Sequence, residues 1–426
     1  MSEEKEILGF SRRMLFQCAL LYLGIWGGLL VSNYVFLILA AYTLVVSVSC
    51  ESDDAYYHLF FLLPFTVIFK LSAASTSLFA YLMIATAAIL LFRKRYVHTV
   101  PMVLVMAFAV YAAIGMLGNY TSVLKMISGL LLLYVFVTSV MPEKFKNHIM
   151  AYALGLLGSS VIGTMKDSWS RLSIYFNDID YVYVDGVRTF RFSGLNYDPN
   201  YFSIGVIIAV FLCLRLLFNR DGNRLFLGGV IVALTVFGFI SYSKMFLLSI
   251  LLLFVIFLFH RIKSIKTLFI TLIGAAAVLA LFYWWAGWSG YLDTILERME
   301  GDISTGRFEI WSEYLEYIWD SPMTLLFGDG LGAPYYMSHG PHNAYIELIF
   351  FLGIVGGALL VSNIVCCLCF ERHIERRTFI DHALLLLFFV MIGTLGLVTV
   401  NDLTFYCMLL WASMNMPTEA LDEVCE

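Results

Sequence analysis

Arg191, Arg307 and His342 stand in three polar stretches of an otherwise apolar chain. The stretches are RFSGLNYDPN (Arg191 to Asn200), GRFEIW (Gly306 to Trp311) and DGLGAPYYMSHGPHNAYIE (Asp329 to Glu347). The guanidinium groups can hold an anion through paired planar donors, and the imidazole can take a proton from a hydroxyl. Asn200 and Asn343 can orient such a base or hydrogen-bond a polyhydroxylated substrate. Lys244, Lys125 and Lys70, at the ends of apolar runs, can add point charge. Gly328, Gly330, Gly332 and Gly340 let the third stretch bend, and Pro334 and Pro341 fix the bends. It delivers His342 and Asn343 to the mouth of the next apolar run. The three stretches are expected to converge there as one site.

The elements that must position these residues are membrane helices. The chain has 426 residues, of which 61% are hydrophobic and 13% charged, and its mean hydropathy is +0.85. A soluble protein of this length needs more charge to cover its surface. Apolar stretches of roughly 20 residues, enough to cross a bilayer as a helix, recur throughout. They predict spans at 15–31, 33–49, 57–70, 74–92, 98–117, 121–140, 148–165, 200–218, 225–240, 243–260, 267–286, 342–370, 380–400 and 402–416. The fold expected is an all-α polytopic membrane protein of about 12–14 transmembrane helices. Its parts are N-terminal helices (1–165), a first outer loop (166–199), central helices (200–286), a large outer loop (287–341) and C-terminal helices (342–426). The polar start argues against a cleavable signal peptide, and Leu15 onward reads as a signal anchor.

Basic residues orient the bundle. Connectors at 93–95, 143–146, 219–224, 260–266 and 371–377 fall on the side of Arg12 and Arg13, which the positive-inside rule makes cytoplasmic. Both termini then lie in the cytoplasm and the two long loops outside. The acidic connector CESDDAYYH (50–58) on the inner side conflicts with that pattern. Lys70, Lys125 and Lys244 sit at outer helix ends, where they snorkel to headgroups or face inward to bind an anion. With Arg191 and Arg307 they would form a cationic pocket suited to a lipid-linked diphosphate. In the first loop, YVYV, a DG turn and VRTFRF predict a small β-hairpin. In the second, Phe308, Trp311, Leu315, Ile318 and Trp319 recur at helical spacing. That helix either lies flat at the headgroups or packs on the bundle. The cysteines, including the CCxC cluster at Cys366, Cys367 and Cys369, lack the spacing of a metal site and read as packing or lipid-facing residues.

Several of these motifs, in this order, resemble the bacterial O-antigen polymerase and O-antigen ligase superfamily. RFSGLNYDPN resembles its R-x-x-G then P-N pattern. SYSK (Ser241 to Lys244) resembles its S-x-S-R segment, with lysine where many members have arginine. GRFEIW, the glycine loop and PHNAYIELIFFLGIVGG resemble its R-x-x-x-W, glycine-loop and H-N blocks. The resemblance implies a GT-C-type membrane glycosyltransferase of the bacterial inner membrane with an extracytoplasmic active site. It implies a polyprenyl (undecaprenyl) diphosphate-linked glycan as donor and as acceptor, and no cofactor or metal. Membrane lipids are further partners, a chain-length regulator and a flippase are candidate ones, and nucleic acid is not.

On this reading Arg191 and Arg307 bind the departing diphosphate, Lys244 assists, and His342 is the general base of an inverting displacement. Nearby cations would favour the neutral imidazole that the role needs. Tyr335 and Tyr336 offer stacking faces for sugars. The competing readings are an O-antigen ligase, which delivers the glycan to lipid A core, and a lipid-glycan flippase, which would more commonly show internal repeats.

Overall fold

The computed structural model describes residues 6–94, 96–115, 120–176, 181–184, 187–261, 265–288, 290, 291, 293, 296, 307–331, 333–337, 340–369 and 400–416. They form an all-α polytopic membrane protein. The helices are α1 (Arg12–Leu30), α2 (Tyr34–Ser49), α3 (Ser52–Leu62), α4 (Leu78–Arg93), α5 (Thr99–Ile114), α6 (Tyr120–Ser139), α7 (Phe145–Gly163), the single turn α8 (Ser170–Ser173), α9 (Pro199–Asn219), α10 (Arg224–Phe239), α11 (Lys244–Arg261), α12 (Ile265–Trp288), α13 (Arg307–Asp320), α14 (Pro322–Phe327), α15 (Ala344–Cys369) and α16 (Val400–Met414). Among the described residues, α1, α6, α9 and α15 are long and apolar enough to cross a membrane, and shorter apolar helices accompany them.

Burial sorts the helices into an inner and an outer set. α9 is the axis of the bundle, packed by α7, α10, α11 and α16, with 78% of its apolar window buried. Outer helices instead present apolar side chains outward: Tyr34, Ile38 and Val45 on α2, and Val100, Val103 and Val110 on α5. Such surfaces match hydrocarbon, not water.

The spans follow the expected list closely, with one shift. The third helix begins at Ser52, not residue 57, and gives way at Leu63–Phe65 to a single 3-10 turn. Pro64 lacks the N–H that would continue the α-helix, so the chain turns early. The shift brings Asp53 and Asp54 into the first turn of α3, where both are buried. There they meet cations. Arg13 pairs with Asp54 at 2.9 Å, and Lys144 reaches Asp53 at 3.3 Å and also pairs with Glu51. The acidic connector therefore shares one end of the bundle with Arg13 and Lys144, which resolves the conflict in the charge pattern. Lys146 pairs with Glu6, and the Asn223 N–H donates to Leu8, so 143–146 and 219–224 lie at this same basic face. Connector 371–377, most of the span 380–400 and the middle of 260–266 lie outside the described residues.

The opposite face carries the loops. β3 (Tyr181–Val184) and β4 (Val187–Phe190) pair antiparallel with Val184 opposite Val187, the hairpin the sequence predicts; β1 (Glu6–Ile7) and β2 (Phe10–Ser11) pair at the basic face. Of its two expected roles, the helix α13 shows the packed one. Tyr314 and Ile318 pack against Ile346 and Phe350 of α15, while Phe308, Leu315 and Trp319 are exposed on another side.

The helix that follows His342 is not continuous. Gly353 sits inside α15 at φ +61°, outside helical geometry. The break leaves carbonyls at Phe350, Phe351 and Leu352 to be satisfied. The Asp329 N–H donates to Phe350 O at 2.8 Å, Gly330 N–H to Phe351 O at 3.0 Å, and the Tyr111 hydroxyl to Leu352 O at 2.6 Å. Gly328 (φ +71°) and Gly353 meet backbone to backbone, and a Cβ on either would overlap the other's main chain. Gly353→Ala is therefore expected to cost about 2–4 kcal/mol through a strained φ and steric overlap. Tyr111→Phe, which removes one shared hydroxyl, should cost about 1 kcal/mol. Thermal unfolding of the detergent-solubilised protein checks the order of the two effects.

Candidate functional site

The first outer stretch is held down by a lysine. Lys166, 1% exposed, donates to Ser193 Oγ at 2.8 Å and to Asn196 O at 2.9 Å, with its ammonium 3.8 Å above the Phe176 ring centroid. Gly194 (φ +54°) lies so close to Gly163 and to the Phe202 ring that a side chain there would collide. Asp198 then caps α9, accepting from the Asn200 N–H at 2.6 Å, with Pro199 at the first position. This local order sets Asn200 and Tyr201 on the first turn of the central helix. Lys166 is a residue the motif reading passed over. Its signal was present as a basic residue on the wrong side of the charge pattern.

The same stretch is tied to the SYSK segment. The Phe192 N–H donates to Ile240 O at 3.1 Å, Ser203 and Ser241 hydroxyls lie 3.0 Å apart, and Ser243 Oγ donates to Asn200 Oδ1 at 2.9 Å. Arg191, Asn200 and Lys244 are thus brought to one neighbourhood. Arg191 is buried, 8% exposed, while Asn200 and Lys244 are partly buried. Lys70 joins its edge, donating to the Tyr197 hydroxyl at 3.2 Å.

The second and third stretches meet each other directly. Trp311 Nε1–H donates to Pro341 O at 2.7 Å, so α13 grips the residue before His342. Tyr317 and Thr324 both donate to the Asp329 carboxylate, at 2.8 and 2.7 Å. Tyr336 stacks on Tyr317 with centroids 4.3 Å apart. His342 is exposed and takes φ +49°, a left-handed backbone. Asn343 caps α15, its Oδ1 accepting from Tyr345 N at 3.0 Å and Ile346 N at 3.3 Å. Its carbonyl oxygen is thereby committed to the helix.

Tyr201 links the two halves. It lies within electrostatic reach of Asp198, Glu347, Tyr335 and Arg307. Residues of all three stretches therefore influence the charge environment of Tyr201 on the first turn of α9. Tyr335 makes a contact beyond the stacking one expected. Its hydroxyl hydrogen-bonds the buried Glu347 carboxylate, and burial and that negative charge push it up to about 12, so it remains a proton donor at neutral pH. Lys125 lies on α6 between Val123 and Met126, which pack with Leu352 and Leu360. That places it beside the break in α15, not in the Asn200–Ser243 cluster. The side chain of Arg188, Arg298, Gly306 and Gly332 lie outside the described residues.

Residues 229–361 match the family model for O-antigen ligase. This similarity supports a link to the O-antigen polymerase and ligase superfamily and suggests an enzyme activity of that type. The matched segment holds Lys244, Arg307, His342, Asn343 and Glu347, while Arg191 and Asn200 precede it in the chain. No curated protein and no solved structure matches the chain.

Trp311→Phe keeps the ring but removes the donor to Pro341. Glycan-transfer activity in membranes is expected to fall about tenfold at unchanged protein level, since a displaced catalytic group loses rate steeply with distance. Lys166→Met, which unpins the first stretch, should lower the unfolding temperature as well as activity, because two buried hydrogen-bond partners lose a donor.

Proposed function

We propose that this protein polymerises undecaprenyl diphosphate-linked oligosaccharide repeat units into a surface polysaccharide. The observation that supports the reading is the match of residues 229–361 to the O-antigen ligase family model, a segment that holds Lys244, Arg307 and His342, with Asn200 hydrogen-bonded to Ser243 beside it. The basic face lies in the cytoplasm, as its Lys and Arg content favours, and the mouth opens on the other side of the bacterial inner membrane. The mechanism is GT-C-like in kind, with the donor's lipid in the bilayer and its sugar in the mouth.

In the transfer, the acceptor hydroxyl attacks the anomeric carbon. The bond from that carbon to the diphosphate oxygen breaks, the new glycosidic bond forms on the opposite face, and the hydroxyl proton passes to His342. Negative charge grows on the departing diphosphate, and Arg191 and Arg307 offset it with paired donors, Lys244 with a point charge. Exposure of His342 suits a base that must meet a second large substrate. Removing a general base lowers rates by about 10²–10⁴-fold.

The test is a gel profile of surface glycan from cells lacking the protein, complemented at equal expression. Wild type is expected to restore long chains, and His342→Ala, Arg191→Ala and Arg307→Ala to leave single repeats. Arg307→Lys should recover only part, because the fork geometry is lost. Long chains left on the lipid carrier in the deletion strain would overturn the polymerase reading in favour of a ligase. Rescue by His342→Ala would remove its role as base. Labelling of a cysteine placed at Arg307 by an impermeant reagent from the outer side checks the orientation.

A further inference from the structure

Glu347 occupies a place no catalytic role accounts for. It lies in the first turn of α15, 3% exposed, too enclosed to touch a glycan. The Tyr335 hydroxyl hydrogen-bonds its carboxylate. At Gly340 a Cβ would stand 3.0 Å from Glu347 Oε1 and 3.0 Å from the Tyr335 ring. Tyr335 and Gly340 thus both lie against one carboxylate. Pro341 is held next by Trp311, and Asn343 caps the helix that carries Glu347. His342 sits between these restraints in a left-handed backbone conformation. A non-glycine residue keeps such a conformation only where its surroundings over-determine it.

We infer that the Tyr335–Glu347 hydrogen bond is a positioning device that closes the loop before His342 and sets the imidazole over the mouth. The inference rests on the proposed role of His342 as base. Glu347 also lies within electrostatic reach of Tyr201 on α9 and Tyr314 on α13. A side chain at 340 would crowd both the carboxylate and the ring, each 3.0 Å from the Cβ position. Gln at 347 keeps an oxygen for the Tyr335 hydroxyl, whereas Leu of similar size does not.

The test uses the full chain in detergent with undecaprenyl diphosphate-linked repeat units, and measures kcat and KM. Tyr335→Phe and Glu347→Leu are each expected to lower kcat about tenfold to a hundredfold with little change in KM, as loss of alignment does. Glu347→Gln should recover most of the rate. The double variant Tyr335→Phe/Glu347→Leu should be no slower than the slower single one, because both remove the same bond. Additive losses, or an effect confined to KM, would overturn the inference. A second arm needs no turnover: His342→Cys is alkylated with an impermeant maleimide, with the unsubstituted chain as blank. Tyr335→Phe is expected to change that alkylation rate by about threefold or more, as a released loop samples other conformations. An unchanged rate, with His342→Ala inactive, overturns the positioning role and leaves the proposed function standing. Full activity of His342→Ala instead removes the proposed base and the catalytic content of this inference with it.

Discussion

Backbone polar groups inside a membrane protein must find partners without water, and the break in α15 is where this constraint shapes the molecule. Gly353 interrupts the helix, and the carbonyls it frees are taken up by Asp329, Gly330 and Tyr111. The outer loop is therefore not draped over the bundle; it is part of the hydrogen bonding of a spanning helix. That docking fixes the approach of α13 and α14, and through Trp311 and Pro341 the start of α15 itself. The stretch from Asp329 to Asn343 is anchored to the same helix at both ends, one at its break and one at its cap.

The first outer stretch follows different physics. Its anchor is a buried ammonium, Lys166, satisfied by one hydroxyl and one carbonyl and covered by the face of Phe176. A buried charge of this kind is costly unless its partners are held in place, so the lysine and the 193–196 turn specify one another. From there a cap at Asp198 and a side-chain bond from Asn200 to Ser243 carry the order into α9 and the start of α11.

Much of this was legible in the residues. Apolar length and spacing located the helices to within a few residues, the YVYV-DG-VRTF alternation located the hairpin, and the polar motifs marked the three stretches that meet. The early helices were harder, because Pro64 shortens α3 and the Asp53 and Asp54 charges are neutralised by Arg13 and Lys144, partners distant in sequence. Charge counting along the chain cannot see such pairs. Local spacing also said nothing of the hydrogen bond from Tyr335 to Glu347, which depends on how the backbone folds back between them. Asn343 and Tyr335 looked like substrate-facing residues by type. One turns out to cap a helix and the other to face a carboxylate, a choice made by backbone geometry that composition does not encode.

The Lys166 anchor has a consequence for the order in which the protein is made. The ribosome delivers Lys166 at the end of α7 before Ser193 and Asn196 exist, and those partners arrive some 30 residues later, beyond a hairpin. During that interval the ammonium must stay hydrated. The end of α7 can reach its final burial only after the hairpin segment has folded back onto it. Folding of that loop and burial of the helix end are therefore coupled steps of assembly.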